Sequence, residues 1–317
     1  MIDVVALGEL LIDFACLSTD VDGYPTMVAH PGGAPANFLA ALAKFGAKTA
    51  LLGKVGTDTF GKLLLATLQK AGIETRGIIE TDNVFTTLAF VTFDETGDRK
   101  FAFSRKPGAD TCIRFEELDL SLIDEAKVFH FGTLSLTDEP ARSATYQAVA
   151  YAKAKGKLLT YDPNLRKALW KDLEEAKKQL IWGLAQADVV KISDEEVAFL
   201  FGLSVQDGAE YILDHFPVKL VFVTCGADGC YFKNAVACGH VPSLKDIQVK
   251  DTTGAGDIFG GSAVYKLLQY GTNPAAMDET TLRDVVTFAS TAAGLSTTRS
   301  GGISSIPEYE AVLNRSR

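Results

Sequence analysis

Cysteine is sparse in this chain and follows no pattern: Cys16, Cys112, Cys225, Cys230 and Cys238 form an odd set without a Cys-x-x-Cys pair. Neither a disulfide framework nor a structural zinc site is indicated, and ordinary buried thiols are expected. Lysine and arginine nowhere gather into a block, and 40 acidic against 31 basic residues leave a net charge of −9. The electrostatic footprint of a nucleic-acid or acidic-membrane binder is missing, so a small-molecule partner is expected. No uninterrupted apolar run reaches the roughly 18 residues of a membrane-spanning helix. The opening stretch, MIDVVALGELLIDFACL, carries acids where a secretory leader carries bases. It reads as a strand, with the cytoplasm as the expected location. No Gly-x-Gly-x-x-Gly follows a strand, which weighs against a dinucleotide oxidoreductase. Repeats and low-complexity linkers are also absent, and two separate globular domains are not expected.

What is present describes an α/β core. The hydrophobic fraction is 47% and the charged fraction 22%, close to the globular average, so the 317 residues can bury one large core with at most a small appendage. Apolar, β-branched runs at 4–8, 49–56, 126–132, 157–162, 188–193 and 218–225 alternate with amphipathic stretches at 37–45, 61–71, 141–155 and 173–186. That alternation predicts βαβ units around a mostly parallel sheet. One segment departs from it: TTLAFVTFDETGDRKFAFSR (86–105) reads as two alternating strands joined by the turn-rich DETGD. With residues 14–30, these strands form either a small flap over the sheet or an edge hairpin of the main sheet.

Three polar clusters carry the chemistry. In KDTTGAGDIFGG, the glycines let successive amides from Thr253 to Asp257 point one way, just ahead of a helix expected from Ile258 to Tyr270. Amides at the positive end of a helix dipole make an anion hole. Asp257 is then either a general base working beside a bound anion or a helix cap. HPGGAPANFLAALAKFG brings Gly32, Gly33 and Asn37 to another helix start, and GELLIDF ends the first strand with Asp13. Those residues suit sugar hydroxyls, and turn and capping roles fit them equally. After the strand ending at Tyr161, YDPNLR offers the five-donor fork of Arg166, either to a ligand or to a surface ion pair. Arg105, leaving the hairpin, would reach the same site. GTDTFGKL imitates a phosphate loop, but Leu63 stands where Ser or Thr must reach magnesium, and Gly61 reads as a helix start.

GGAPAN and DTTGAGD, in this order and more than two hundred residues apart, resemble the two signatures of the PfkB or ribokinase family of sugar and nucleoside kinases. The resemblance covers nearly the whole chain. It implies one ribokinase-like domain: a three-layer α/β sandwich with a central, mostly parallel sheet and a small β-sheet lid within about 14–30 and 86–110. Asp257 becomes the base, with Gly254, Ala255 and Gly256 as the anion hole. GELLIDF, GGAPAN, RKPGAD, VFHFGTLSL and YDPNLR resemble the fructokinase members. Their likeness implies that Asp13, Gly32, Gly33, Asn37, Arg105 and Arg166 bind fructose, with 2-keto-3-deoxygluconate as the alternative. ATP with Mg²⁺ is the implied phosphoryl donor. Lys191, Ser193, Glu196, Thr224, Gly226 and Gly229 form its expected surround, Glu196 acting on Mg²⁺ through water. Ser193 replaces the family's usual asparagine and suits a helix cap as well. The adenine pocket is expected near Ala289 to Ala293. A K⁺ site is implied at Asp251, Thr253, Gly301 and Ser305, and pairing of two lids suggests a homodimer.

Overall fold

Short apolar runs bounded by turns need burial on both faces, and the fold supplies it with a sheet held between two helical layers. The computed structural model describes residues 1–93, 99–271 and 273–316. In chain order the strands are β1 (Val4–Leu7), β2 (Leu11–Thr19), β3 (Pro25–Gly32), β4 (Thr49–Gly56), β5 (Ile73–Glu74), β6 (Ile78–Thr81) and β7 (Leu88–Phe93). They continue as β8 (Arg99–Ser104), β9 (Val128–Gly132), β10 (Leu158–Asp162), β11 (Val189–Ser193), β12 (Leu220–Thr224), β13 (Cys230–Asn234) and β14 (Cys238–Val241). The helices are α1 (Ala34–Lys44), α2 (Thr59–Lys70), α3 (Leu120–Glu125), α4 (Ala141–Ala154) and α5 (Leu173–Leu184), followed by α6 (Asp194–Phe201), α7 (Val205–His215), α8 (Ala255–Tyr270), α9 (Glu279–Ser296) and α10 (Tyr309–Arg315).

The main sheet has ten strands in the order β14-β13-β12-β11-β10-β9-β1-β4-β5, with β6 also paired to β4. Neighbours from β12 to β5 run parallel, while β13 and β14 close the far edge antiparallel. Successive residues feed opposite cores, as the pleat requires. Val5, Leu7, Phe129, Phe131, Val190 and Ile192 pack toward α3, α4 and α7. Val4, Ala6, Leu51 and Val128 pack toward α1, α2, α8 and α9. The fully apolar strands are thereby explained, each fully enclosed large side chain contributing roughly 1.5–3 kcal/mol.

A separate four-stranded sheet has the order β3-β2-β7-β8. Its hairpin pairs antiparallel from Leu88↔Ser104 to Phe93↔Arg99, so the segment is a flap and not an edge of the main sheet. The DETGD turn assigned to 94–98 lies outside the described residues. Within residues 11–32, β2 lies parallel to β7 and antiparallel to β3, with an irregularity between Cys16 and Ser18. Phe14 stacks on Phe90 at 5.4 Å and meets Phe60 of α2 edge-on at 5.5 Å, which seats the flap on the main body.

Three expectations need correction. The amino-terminal apolar run is two strands, and Asp13 lies in β2 of the small sheet instead of ending the first strand. The chain leaves the main sheet at Gly8, where any side chain would meet Pro35 Cγ at 2.6 Å. The phosphate-loop imitation is a helix entry in which Asp58, and not Gly61, is the cap, accepting from Phe60 at 2.9 Å and Gly61 at 3.0 Å. All five cysteines are free, yet only Cys230 is buried, and Cys238 is exposed on the antiparallel edge.

Candidate active site

Strand β1 pairs with β4 on one side and β9 on the other, so the chain reverses its direction of travel across the sheet there. Loops beyond the carboxyl ends of strands diverge at such a point and leave a crevice. A cavity of about 940 Å³ lies along this edge, near the upper end for small-molecule sites. Its floor comes from the loops after β1, β10, β11 and β12 and from the start of α8. Leu11, Asp13, His30, Val91 and Phe103 of the small sheet form its roof. Among the described residues no helix is long and apolar enough to cross a membrane.

The glycine loop is built differently from its simplest reading. Helix α8 begins at Ala255, three residues before the expected Ile258, and Gly254 is its cap with φ of 76°. An L residue adopts that angle only with strain. Gly256 is ordinary helix; it is a glycine for space, because a Cβ there would lie 2.9 Å from Lys191 Nζ. The amides do not all point outward. Thr253 N donates to Asp251 Oδ1 at 2.9 Å and Ala255 N to Thr252 O at 3.2 Å, which leaves those of Gly254, Gly256 and Asp257 at the open first turn.

Asp257 does not cap its own helix. Its Oδ2 accepts from Asn37 Nδ2 at 2.9 Å and its Oδ1 from Asn164 Nδ2 at 3.2 Å. Burial raises its pKa, opposed by the Asn37 hydrogen bond and by the charges of Lys191 and Arg166. A buried, raised carboxylate at the foot of an anion-binding helix end can accept a proton from a hydroxyl.

GGAPAN delivers Asn37 to that carboxylate. Gly33 caps α1 with φ of 112°, and a side chain there would strike the Glu9 carbonyl. A side chain at Gly32 would meet Asp13 Oδ2 at 2.5 Å, so this glycine clears the space beside Asp13. Burial pushes Asp13 up to about 7, with Arg166 pulling down and Asp257 and Asp251 pushing further up. The Arg166 side chain is exposed, lines the cavity, and makes no ion pair among the described residues.

Arg105 is not brought to the cavity. It is 4% exposed, and its donors are taken by Asp110 at 2.8 Å, Thr137 Oγ1 at 2.7 Å and Leu134 O at 2.8 Å. Asp110 in turn bonds Thr87, so the arginine ties the end of the hairpin to the body. The hairpin's exit was readable in sequence; the carboxylate waiting for the guanidinium was not.

On the other side of Asp257, Lys191, Ser193, Glu196, Thr224 and Gly226 all line the cavity. Ser193 and Glu196 form a capping box at α6, with Glu196 Oε2 accepting from Ser193 N at 2.8 Å and Oε1 from Leu165 N at 2.7 Å. Lys191 pairs with Asp162 at 3.1 Å. Burial works against its ammonium, but the charges of Asp162, Glu196 and Asp257 hold its pKa above the ordinary value. Gly229 lies outside the lining, where its φ of 102° turns β12 into β13 and any side chain would strike Val241 O. Ala289 and Ala292 are enclosed in the cores and do not line this cavity. Asp251 stitches two loops, accepting from Thr253 through Oδ1 and from Gly301 N at 3.0 Å through Oδ2. Asp251, Thr253 and Gly301 line the cavity, whereas Ser305 is buried with its hydroxyl on Gly302 O.

Sequence reasoning passed over Asn164, Glu9, Asp162 and His30. Asn164 lies in YDPNLR, where Arg166 is the stronger chemical signal. Glu9 caps α1 by accepting from Ala34 N at 2.8 Å, and burial pushes it up to about 7. His30 faces Asp13 directly across the β2–β3 ladder, and its preceding place in HPGGAPAN was the available signal.

A family model, pfkB family carbohydrate kinase, matches residues 1–309. The chain belongs to this family. As a pfkB-family carbohydrate kinase it is 41% identical to fructokinase-1 of Zea mays over 314 residues, 98% of this chain and 96% of the relative. Its ribokinase-like fold matches a fructokinase with bound ATP from Xylella fastidiosa with a TM-score of 0.89 at 31% identity, covering 98% of this chain and 97% of that one. It also matches a double mutant of the fructokinase of Vibrio cholerae O395 bound to fructose, ADP and potassium ion, with a TM-score of 0.86 at 30% identity over 100% and 99% of the chains. These two related structures thus hold nucleotide, and one of them a potassium ion.

Proposed function

We propose that this carbohydrate kinase transfers the γ-phosphoryl group of ATP to the 6-hydroxyl of D-fructose. The observation that carries the reading is Asp257, buried at the first turn of α8 between two asparagine amides and open to a cavity roofed by Asp13. Its carboxylate takes the O6 proton while that oxygen bonds to phosphorus and the bond to the β-phosphate oxygen breaks. The open amides of Gly254 and Gly256, at the positive end of α8, stabilise the charge on the transferring group. Phosphoryl transfer asks mainly for positioning and charge neutralisation, which this set supplies.

Asp13, Arg166 and the cleared space at Gly32 and Gly33 receive the sugar hydroxyls, and Asn37 acts on the base. Lys191, Glu196, Thr224 and Gly226 face the nucleotide, with Ser193 acting through the cap it provides. Mg²⁺ fits the Glu196 side: both carboxylate oxygens already accept amides, so contact runs through water, as this cation prefers. When bound, it neutralises phosphate charge. K⁺ fits between the loops joined by Asp251, held by their backbone carbonyls. The chain works as one kinase domain whose lid, strands β2, β3, β7 and β8, closes over the sugar and excludes water. Leu17, Val21 and Tyr24, exposed on that lid, form the surface for a homodimer, which light scattering would detect. A phosphotransferase fed by ATP belongs in the cytoplasm.

Arg166, exposed to the cavity with no ion pair among the described residues, also suits a sugar acid, which makes 2-keto-3-deoxygluconate the second reading. The test is ADP release from ATP·Mg²⁺, with and without K⁺, on fructose, 2-keto-3-deoxygluconate, ribose and adenosine. Saturable turnover with fructose well above the others is expected. Turnover with 2-keto-3-deoxygluconate alone would replace the substrate and keep the base.

A further inference from the structure

Asn164 follows β10 with φ of 45°, a left-handed angle that asparagine tolerates better than most residues. That backbone demand by itself would accept glycine. The side chain does something more, because its Nδ2 reaches Asp257 Oδ1 across 93 residues of sequence at 3.2 Å. Asn37 reaches the other oxygen from α1 at 2.9 Å. Each carboxylate oxygen therefore faces one neutral amide, brought by a different element.

The direction of both amides is dictated by the carboxylate, which when ionised only accepts. Asn37 shows the consequence: with its nitrogen turned to Asp257, its Oδ1 is buried against Gly302 without a hydrogen-bond partner among the described residues. An orphaned acceptor of this kind costs about 1–3 kcal/mol. Asn164 comes from a rigid platform, its own N–H donating to Asp162 Oδ1 at 3.1 Å and the next amide to Glu196 at 2.7 Å. We infer that Asn164 is a positioning residue for the general base, its amide and that of Asn37 bracketing Asp257 so that one carboxylate lone pair is aimed at the incoming sugar hydroxyl.

The inference rests on the proposed phosphoryl transfer with Asp257 as base. Neutral brackets orient a carboxylate without the deep loss of basicity that a hydrogen-bonded cation imposes. The charged groups around Asp257 fit this: Lys191 on β11, Arg166 on the loop after β10, Asp162 on β10 and Asp13 on β2 act on it through space. None of them hydrogen-bonds it among the described residues.

Asn164→Gly separates the two roles, since it keeps the left-handed backbone and removes the amide. The sugar used is whichever one the wild type phosphorylates fastest. The expected result is a Tm within about 2 °C of wild type, KM for sugar and ATP within about threefold, and kcat lower by about tenfold. The acidic limb of the kcat–pH profile should move up, because a donor to the charged form is gone. Asn164→Asp, similar in shape, places a second carboxylate beside the base and should move that limb further. An Asn164→Gly enzyme with kcat within twofold and an unmoved limb would overturn the inference, as would a lower kcat accompanied by a steep fall in Tm and an unmoved limb in Asn164→Asp. Asp257→Asn keeps the two readings apart. If it is silent while Asn164→Gly is normal, only the bracket fails; if it turns over freely, or the wild type phosphorylates no sugar, the underlying reading fails and the bracket with it.

Discussion

Asp257→Asn is the substitution in which stability and activity should separate most clearly. The wild-type carboxylate is buried, and burial raises its pKa above the ordinary aspartate value. Between that ordinary value and the raised one, the folded protein binds more protons than the unfolded chain, so this group's contribution to stability falls as pH rises. Removing the charge removes a desolvation penalty of several kcal/mol. Against this stands the loss of charge assistance in two hydrogen bonds, about 1.5–3 kcal/mol each at most. Neither bond need vanish: the new amide can turn its nitrogen toward Asn37, whose Oδ1, without a partner among the described residues, can rotate to accept. The terms nearly cancel, and the net change should be about 1 kcal/mol or less, toward stabilisation, equivalent to roughly 2 °C in Tm. Catalysis loses its proton acceptor, which lowers kcat by roughly 10²–10⁴-fold, or about 3–5 kcal/mol in barrier height. Thermal melts at pH 8 and coupled ADP release would measure both. A variant retaining more than a tenth of wild-type kcat would refute the base. One that lost activity and about 10 °C of Tm together would show Asp257 to be structural.

Asp13→Asn should raise the fructose KM while leaving the KM for ATP in place. Because burial pushes Asp13 up to about 7, wild-type kcat/KM for fructose should fall as pH drops through about 7, and the variant should flatten that limb; an unchanged limb would remove Asp13 from the sugar site. Gly256→Ala offers about 0.5–1 kcal/mol of helix propensity, which displacing the buried Lys191 from Asp162 should offset. It should nevertheless lower kcat, since the new methyl would stand 2.9 Å from Lys191 Nζ and displace it; unchanged turnover would deny Lys191 a role. Arg105→Met leaves Asp110 buried and unpaired, a loss of about 3–5 kcal/mol visible in denaturant melts. A raised fructose KM with normal stability would instead return Arg105 to the sugar.

The order of layers was legible because it is written locally. Strands such as Val4–Leu7 are apolar throughout, a pattern that a sheet covered on both faces satisfies, and the alternating hairpin announced a sheet with one face turned elsewhere. The glycine turn ahead of α8 was legible for the same reason: Gly254 supplies a backbone angle, and the helix that follows supplies the dipole. What sequence could not contain is which groups meet across the sheet edge. Asp257 is 220 residues from Asn37 and 93 from Asn164, and only the packing of α1 and α8 over the end of β10 turns a possible cap into a bracketed carboxylate. The same limit misplaced Arg105, whose burial depends on Asp110 and the body beneath it, and misread Gly256, whose glycine answers to the Lys191 ammonium rather than to a backbone angle. Short-range periodicity and turn chemistry were set by the chain itself; partners, burial and the resulting shifts in basicity were decided by tertiary contact.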